Sequence, residues 1–506
     1  ASNPNLDFGE VSSGSVSASQ SFVFKAKGYN DITITAPTDY QISLDNISFQ
    51  SNVVVNAADA STGKTIYVRF TPSVKALSIS GALTVTGTAL NKQIGALTGS
   101  SLPKADTFDI VTYNLEFFGS DVKGTDGVEF GPTDDALQID NVAKVMNKLN
   151  ADVYVVQEVS DETALDQLIQ KISVNGKTFD KTISPSWSYS FNAPEPNFPP
   201  QKLVVLYNTQ TATVKNTRVM FKDFYDEVRA GTKTLPNYPG GNGSSFFSSG
   251  RLPYMVQIET NLGGVKKLIN LVDLHARANS GSDISKYNMR KYDTELLKDS
   301  LDVYYSKSNL VILGDFNDDV KSSVIAGNPS SYQKLVEDTT NYNPLTLGIS
   351  NAGAYSFLSS GGFLDHIIIS NELTDQYVPN SIAVYDPRTD ITNYTNTTSD
   401  HGPVIARFEL KGDLGTDDFE TNNQYAVKIF PNPVTDVLNV AVRNNSEENL
   451  KLRIYDLNGR LVENPIEFTG GQNTTAIPIK NLKTGIYIYT LTKNNKVVFK
   501  DKMIKK

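Results

Sequence analysis

Several apolar runs in the middle of this 506-residue chain stop on a polar residue, and this pattern constrains the fold more than any other. DIVTYN ends on Asn114, DVYVVQE on Glu158, LINLVDLH on His275, and LVILGDFN on Asp315 and Asn317. FLDHIII and SDHGPVIARF put Asp365, His366, Asp400 and His401 at the start of two more runs. Short apolar runs of this kind are buried strands, and buried strands separated by helical segments belong to a layered α/β domain. The helical segments are present. Residues 134–149 carry Leu137, Val142, Val145, Met146 and Leu149 at helical spacing, with Thr133 or Asp134 placed to cap the start. Residues 284–304 read as a second long helix. Further strands are expected at 202–207, 254–260, 266–273, 309–313, 365–369 and 402–408. Polar groups at the ends of several buried strands converge on one rim of such a fold.

The flanks read differently. Before residue 100, Phe22–Phe24, Ile32–Ile34, Val53–Val55, Ile66–Val68 and Leu83–Val85 are short β-prone runs separated by Asn, Asp, Gly and Ser, the pattern of a β-sandwich. This stretch resembles the immunoglobulin-like accessory modules of secreted bacterial enzymes, which implies a spacer, with glycan or surface binding as the alternative. After residue 426, Val427–Ile429, Leu438–Val442, Leu452–Tyr455, Ala476–Ile479, Ile486–Leu491 and Val497–Lys500 predict a second small sandwich of about seven strands. The expected organisation is therefore an accessory domain at 1–102, a catalytic domain at 103–411, a linker at 412–425 and a C-terminal domain at 426–506. Ser101–Asp106 reads as a connector between the first two.

Composition removes some classes of function. The chain has no cysteine, hence neither a disulfide framework nor a thiolate metal site. No apolar run is long enough to span a bilayer, so stable membrane insertion is not expected. Ala1 opens a stretch without the charged and apolar regions of a signal peptide, as at a processed N-terminus or in a chain that never carried one. Residues 1–100 are neutral and residues 421–506 carry net +6, so the overall −9 leaves −15 on the middle of the chain. A passive nucleic-acid binder needs the opposite sign. An enzyme that recruits a divalent cation does not, because the cation supplies the local positive charge.

All three histidines, His275, His366 and His401, lie in this acidic middle, each at a strand end or beside an aspartate. Carboxylates and Asn carbonyls are donors for a hard ion such as Mg²⁺, and imidazoles exchange protons near neutral pH. TYNLEF, VVQEV, the strand ending in His275, GDFND, FLDHI and SDHGPV occur in the order that defines the endonuclease/exonuclease/phosphatase superfamily. Residues 106–410 resemble its deoxyribonuclease I-like members. The resemblance implies a four-layered α/β sandwich. It implies Glu158 as the direct ligand of a catalytic Mg²⁺ (or Mn²⁺ or Ca²⁺), with Asn114 and Asp400 nearby. Asp315 and Asn317 would orient the attacking water and the scissile phosphate. Asp365 would fix the tautomer of His401, which would act as general base or contact the phosphate as an imidazolium. His275 would bind phosphate or act as general acid, and Arg251, in SGRLPYMVQI, would contact phosphate unless it is a surface arginine.

Two positions depart from the pattern. Gln201 stands where deoxyribonucleases carry a glutamate that pairs with the first histidine, which weakens an acid role for His275. His366 replaces a common arginine or tyrosine and reads as a supporting or structural group. Asp318 and Asp319 read as solvated loop residues. Phe246-Phe247 reads as a buried loop anchor, with a lipid-contacting tip as the alternative.

KIFPNPVTDVLNV, LRIYDLNGRLV and the final LKTGIYIYTLTKNNKVVFKDKMIKK resemble the Por sorting domain of the type IX secretion system of Bacteroidetes. That implies export across the outer membrane, with residues 426–506 read by the translocon and an outer-membrane β-barrel shuttle. The sequence reading is thus a secreted, monomeric, metal-dependent phosphodiesterase acting on nucleic acid. Two rivals are a lipid phosphodiesterase or phosphomonoesterase of the same fold, and a surface adhesin with an inactive catalytic fold. Loops 192–200 and 236–251 are expected to separate the enzymes. A nuclease presents Lys, Arg, Asn or Tyr there along an open groove, and a lipid-specific member presents an apolar hairpin.

Overall fold

The two faces of each central strand serve different cores, which is why these strands read as unbroken apolar runs. The computed structural model describes residues 3–241, 243–281, 283–412, 425–430, 432–444, 449–456, 459–468, 471–494 and 496–506. In the strand Phe108–Phe118, Phe108 and Ile110 point between two sheets while Val111, Tyr113 and Leu115 point outward to helices. Val153 and Val155 face inward and Tyr154 and Val156 outward in Val153–Val159. In the second sheet, Val311 and Leu313 share the inner core while Leu310 and Ile312 pack under a helix. Each fully buried Val, Leu or Ile contributes about 1.5–3 kcal/mol relative to exposure, so the layered arrangement follows from the apolar runs themselves.

The first sheet orders its strands Phe179–Ile183, Lys202–Asn208, Val153–Val159, Phe108–Phe118, Val404–Phe408 and Ala383–Val384. The second orders them Ala212–Val219, Tyr254–Leu262, Val265–His275, Leu310–Asp315, Asp365–Ser370 and Tyr342–Pro344. The helices Asp135–Leu149 and Glu162–Ile172 cover the first sheet, and Ile284–Tyr304 covers the second. Asp134 caps its helix by accepting from the Leu137 N–H at 3.0 Å, as its position predicts.

Register does the positioning. Val265–His275 runs parallel to Leu310–Asp315 with His275 opposite Asp315, and Asp365–Ser370 runs antiparallel on the other side with Asp365 opposite Asp315. Three site residues thus stand side by side across three strands. In the first sheet Asn114 stands opposite Gln157, one residue before Glu158. Gly314 permits the close strand approach beside Asp315: its φ is +140°, and a Cβ there would lie 1.9 Å from the Leu274 carbonyl oxygen.

The N-terminal part forms a five-stranded sheet, in which Asn5–Glu10 pairs in parallel with Leu90–Ser100, and a three-stranded sheet of Gln20–Phe24, Lys64–Phe70 and Tyr40–Ser43. Ile32, Ile34, Ile42, Ile66, Val68 and Leu83 pack between them. The connector expected at Ser101–Asp106 is packed rather than loose. Ser101 and Leu102 are buried, Lys104–Asp106 forms a 3₁₀ turn, and Lys104 Nζ donates to Asp152 Oδ2 at 2.6 Å. After residue 425 a three-stranded and a four-stranded sheet close on Leu438, Val440, Leu452, Ile454, Tyr489 and Leu491. Residues 413–424 of the expected linker, Pro431 of the PNP turn, and Leu457 and Asn458 of the YDLNGR turn lie outside the described residues. No helix among the described residues is long and apolar enough to cross a membrane.

Candidate active site

Glu158 leaves its strand at a β-bulge. Pairing slips on both sides of Val153–Val159 at this point, and Glu158 takes φ +61°, a conformation uncommon for a side-chain-bearing residue. The bulge turns the carboxylate toward the second sheet. Glu158 Oε2 accepts from the Phe117 N–H at 3.1 Å and Oε1 from Asn114 Nδ2 at 3.3 Å. The same Asn114 amide donates to Asp315 Oδ2 at 3.0 Å, so one side chain ties the two sheets together at the rim. Asp315 also accepts from the Asn317 backbone at 2.9 Å and from Asn317 Nδ2 at 3.2 Å.

His401 Nδ1 donates to Asp365 Oδ2 at 2.6 Å, and Ser356 Oγ donates to the same oxygen at 2.6 Å. His401 Nε2 stands 3.7 Å from Asp400 Oδ1 and 4.0 Å from Asp315 Oδ2. His275 Nε2 stands 3.3 Å from Glu158 Oε1 and 3.5 Å from Asp315 Oδ2. Glu158, His275, Asp315, Asn317, Asp400 and His401 all line one open cleft of about 1540 Å³, and Asn114 and Asp365 sit behind its lining. Asn114, Glu158, His275, Asp315, Asn317, Asp365, Asp400 and His401 are therefore brought together, and Arg251 also lines the cleft.

The electrostatics are those of a site short of positive charge. Burial, then Asp400, pushes the Glu158 carboxyl up to about 7, against the pull of Arg251. Burial, then Asp400 and Glu158, pushes Glu116 up to about 8. Burial also lifts Asp315 to about 6, with His401 opposing. Burial disfavours the charged ring of His401, but Asp365, Asp315 and Asp400 together raise it well above the ordinary histidine range. His275 goes the other way: burial, then the nearby Arg251 and His401, lowers it well below that range and keeps its ring neutral.

A divalent cation fits this donor set. Glu116, Glu158 and Asp400 disfavour one another's charge, and a hard cation would relieve that conflict. Among the described residues no three His, Asp or Glu side chains already stand close enough together to hold a metal ion.

Several expectations are corrected. Gln201 accepts a hydrogen bond from Arg251 Nη1 and is not the partner of His275. Arg251 is not a surface residue. It is buried, donating to the His275 carbonyl at 2.8 Å and the Ala276 carbonyl at 2.9 Å, so it clamps the end of the His275 strand. Asp318 is not solvated: it is fully buried, 3.2 Å from Arg290 Nη2 and bonded to Ser323 and Ser331. Phe246 and Phe247 are buried among Phe221, Phe224 and Tyr238, as the loop-anchor reading expected, and present no apolar tip. His366, expected as a supporting or structural group, lies outside the cleft, buried, with Nδ1 2.8 Å from Thr346 Oγ1 and Nε2 3.1 Å from the Phe363 carbonyl. Glu116 and Ser356 were missed. Glu116 lines the cleft and accepts from the Asp400 N–H at 2.8 Å, and its place two residues after Asn114 was a readable signal. Ser356 carries no comparable pattern.

The chain matches the Endonuclease/Exonuclease/phosphatase family over residues 111–401, and it belongs to that family. Members of the family are hydrolases acting on phosphoester bonds and are generally dependent on divalent metal. Residues 428–506 match the Secretion system C-terminal sorting domain, which directs export by the type IX system to the cell surface or beyond. Among solved structures, the chain is similar to the catalytic domain of human nocturnin with bound sulfate, at 14% identity over 60% of this chain and 94% of that one, TM-score 0.39. A truncated TDP2 from Caenorhabditis elegans is similar at 14% identity, 60% and 97% coverage, TM-score 0.36. So is a mannosyl-6-phosphatase from Bacteroides thetaiotaomicron, at 12% identity, 60% and 99% coverage, TM-score 0.35. No curated protein matches the chain.

Proposed function

We propose that this chain is a secreted, divalent-metal-dependent phosphodiesterase, an extracellular endonuclease that hydrolyses DNA, with RNA as a second substrate of the same chemistry. The observation that carries this reading is the Asp365–His401 pair at 2.6 Å on the same cleft as Glu158 and Asp315. Glu158 would hold the ion, with Asp400 and Asn114 beside it. The bound ion would neutralise charge on the phosphate oxygens and stabilise the leaving oxygen. Asn317 and Asn114 hold Asp315 in place, and Asp315 receives the proton of the attacking water. A carboxylate pushed up to about 6 is suited to that near neutral pH. His401, held charged by Asp365, donates to a non-bridging phosphate oxygen. The raised state of His401 supports this imidazolium role over that of a free base. His275 is kept neutral and binds phosphate without acting as a cationic acid. Arg251 positions the His275 strand end and contributes its charge from behind.

The N-terminal two-sheet part is proposed to be an immunoglobulin-like accessory module at 1–102, followed by a catalytic domain at 103–411, a linker at 412–425 and the sorting domain at 426–506. The translocon and a β-barrel shuttle are the proposed partners of that last part, and the chain is proposed to be monomeric. The apolar tip that a lipid-specific enzyme would present is not formed by Phe246-Phe247, which are buried.

Plasmid nicking with and without EDTA tests the reading. Wild type is expected to nick with Mg²⁺, Mn²⁺ or Ca²⁺, and Glu158→Ala and His401→Ala are each expected to lose at least about 100-fold. Turnover of a phosphomonoester without any nicking would place the enzyme among the phosphatases. Nicking that survives His401→Ala would sink the mechanism and leave the substrate class standing.

A further inference from the structure

The nuclease reading leaves open which form of nucleic acid enters the cleft, and the lining of the cleft bears on it. Aromatic side chains, rather than a row of cations, face the Glu158 side. The Phe117 backbone is held beside Glu158, its N–H donating to Glu158 Oε2 at 3.1 Å, and Phe117 lines the same cleft. Phe198 packs against Phe117 with ring centroids 6.2 Å apart and planes at 84°, and Tyr189 meets Phe198 at 6.1 Å and 85°. Phe130 backs the group, 5.1 Å from Phe117 and 5.5 Å from Phe198. These rings keep open surface: Phe117 and Phe198 are half-buried, and Tyr189 is 42% exposed. Of loop 192–200, Phe198 reaches the cleft lining, a single ring and not an apolar hairpin.

The cations on the lining are few and largely committed. Arg251 is bonded to two backbone carbonyls and to Gln201, Arg277 donates to the Ser245 carbonyl, and His401 is paired with Asp365, leaving Lys286. The same lining carries the carboxylates Glu116, Glu158, Asp315 and Asp400. Duplex binding is driven by Lys and Arg neutralising successive phosphates, and this cleft has no such row among the described residues. Single strands are also drawn by basic grooves but add bases stacked on aromatic faces in a largely sequence-independent way, so it is the rings, not the shortage of cations, that favour an unpaired strand. A base inside a duplex has both faces covered by its neighbours and must leave the stack to reach such a platform.

We propose that Phe117, Tyr189 and Phe198 form a stacking platform for one unpaired nucleobase beside the scissile phosphate, so that the enzyme cuts single-stranded or frayed nucleic acid in preference to duplex. The proposal rests on the nuclease reading. Three substrates of equal length test it: a single strand, the same sequence as duplex, and a single strand whose bases are removed around one phosphate. With Mg²⁺, cleavage of the normal single strand is expected to exceed that of the duplex. Its kcat/KM should exceed cleavage at the base-free phosphate by about tenfold or more. Phe198→Leu, which keeps an apolar group against Phe117 and Phe130, should bring that ratio close to one. Tyr189→Asn should lower it as well; the side chain is exposed, and its φ of +64° is one that Asn tolerates. Fluorescence anisotropy of labelled strands in EDTA reads the same preference without turnover. Equal cleavage of all three substrates overturns the platform and leaves the phosphodiesterase standing. No cleavage of any strand with Mg²⁺, Mn²⁺ or Ca²⁺ overturns the nuclease reading, and the anisotropy then decides the platform alone: base-dependent binding lost in Phe198→Leu supports it, and equal binding of normal and base-free strands overturns it.

Discussion

Asp365 is fully buried, and its Oδ2 takes hydrogen bonds of 2.6 Å from both His401 Nδ1 and Ser356 Oγ. A carboxylate in that position does two things for His401. It selects the tautomer, and it opposes the loss of charge that burial would otherwise impose. Asp365→Asn removes the charge and keeps the shape. Its kcat for DNA cleavage is expected to fall by at least about 100-fold. The titration of His401, followed by NMR of the histidine ring protons, should move down toward the ordinary range. With only three histidines the spectrum is simple, and His275 should stay neutral well below that range. An unmoved His401 titration in Asp365→Asn would show that some other group holds its charge. At this scale the sequence was informative where chemistry and position coincide, as in GDFN and SDH. It was silent on Ser356, one serine among many, and misleading on Asp318, because no local pattern says that Arg290 lies behind it.

At the scale of the element, site geometry is a matter of strand register. His275, Asp315 and Asp365 are neighbours because three strands pair in one register, and a slip of one residue would turn each side chain to the opposite face. Gly314 protects that register. Gly314→Ala would drive a methyl into the Leu274 carbonyl from a backbone angle that disfavours any side chain. The substitution is expected to cost at least about 3 kcal/mol and lower Tm by roughly 6 °C or more. Gly348→Ala, where an added methyl meets open space, is expected to leave Tm nearly unchanged. Comparable melts for the two variants would mean the strands can separate without cost. Helix Ile284–Tyr304 and the central strands were legible because burial enforces their patterns. Helix Glu162–Ile172 and strands Phe179–Ile183 and Ala212–Val219 were passed over. The helix is short, and the exposed residues that alternate along Ala212–Val219 dilute its apolar signal.

For the whole molecule, the acidic cleft links stability to pH and to metal. Glu158 and Glu116 have folded-state values raised above their unfolded ones, to about 7 and about 8, so the folded protein binds more protons than the unfolded chain in that range. Stability without metal therefore falls as pH rises through those values. His401, also raised, acts in the same direction, since its contribution is present at lower pH and lost as pH passes its folded value. Urea midpoints in EDTA are expected to be lower at about pH 8.5 than at about pH 6.5, and millimolar Mg²⁺ should restore most of the difference. Glu116→Gln should flatten the slope. A midpoint that is level with pH and unmoved by Mg²⁺ would mean that the carboxylates do not share a site. The sequence by itself determined the layered core, because apolar runs can only be buried; the order of its motifs carried the family, and nine polar residues marked the strand ends, all but His366 gathering at one rim. It also carried the export address, which is read as a contiguous segment at the C-terminus. Only the tertiary structure decided how those residues are partnered. The turn of Glu158 at its bulge, the passage of Gln201 to Arg251, the burial of Asp318 against Arg290, and the aromatic side chains beside the cleft depend on contacts between segments far apart in the chain. Packing between layers selects those contacts, and no local pattern records them.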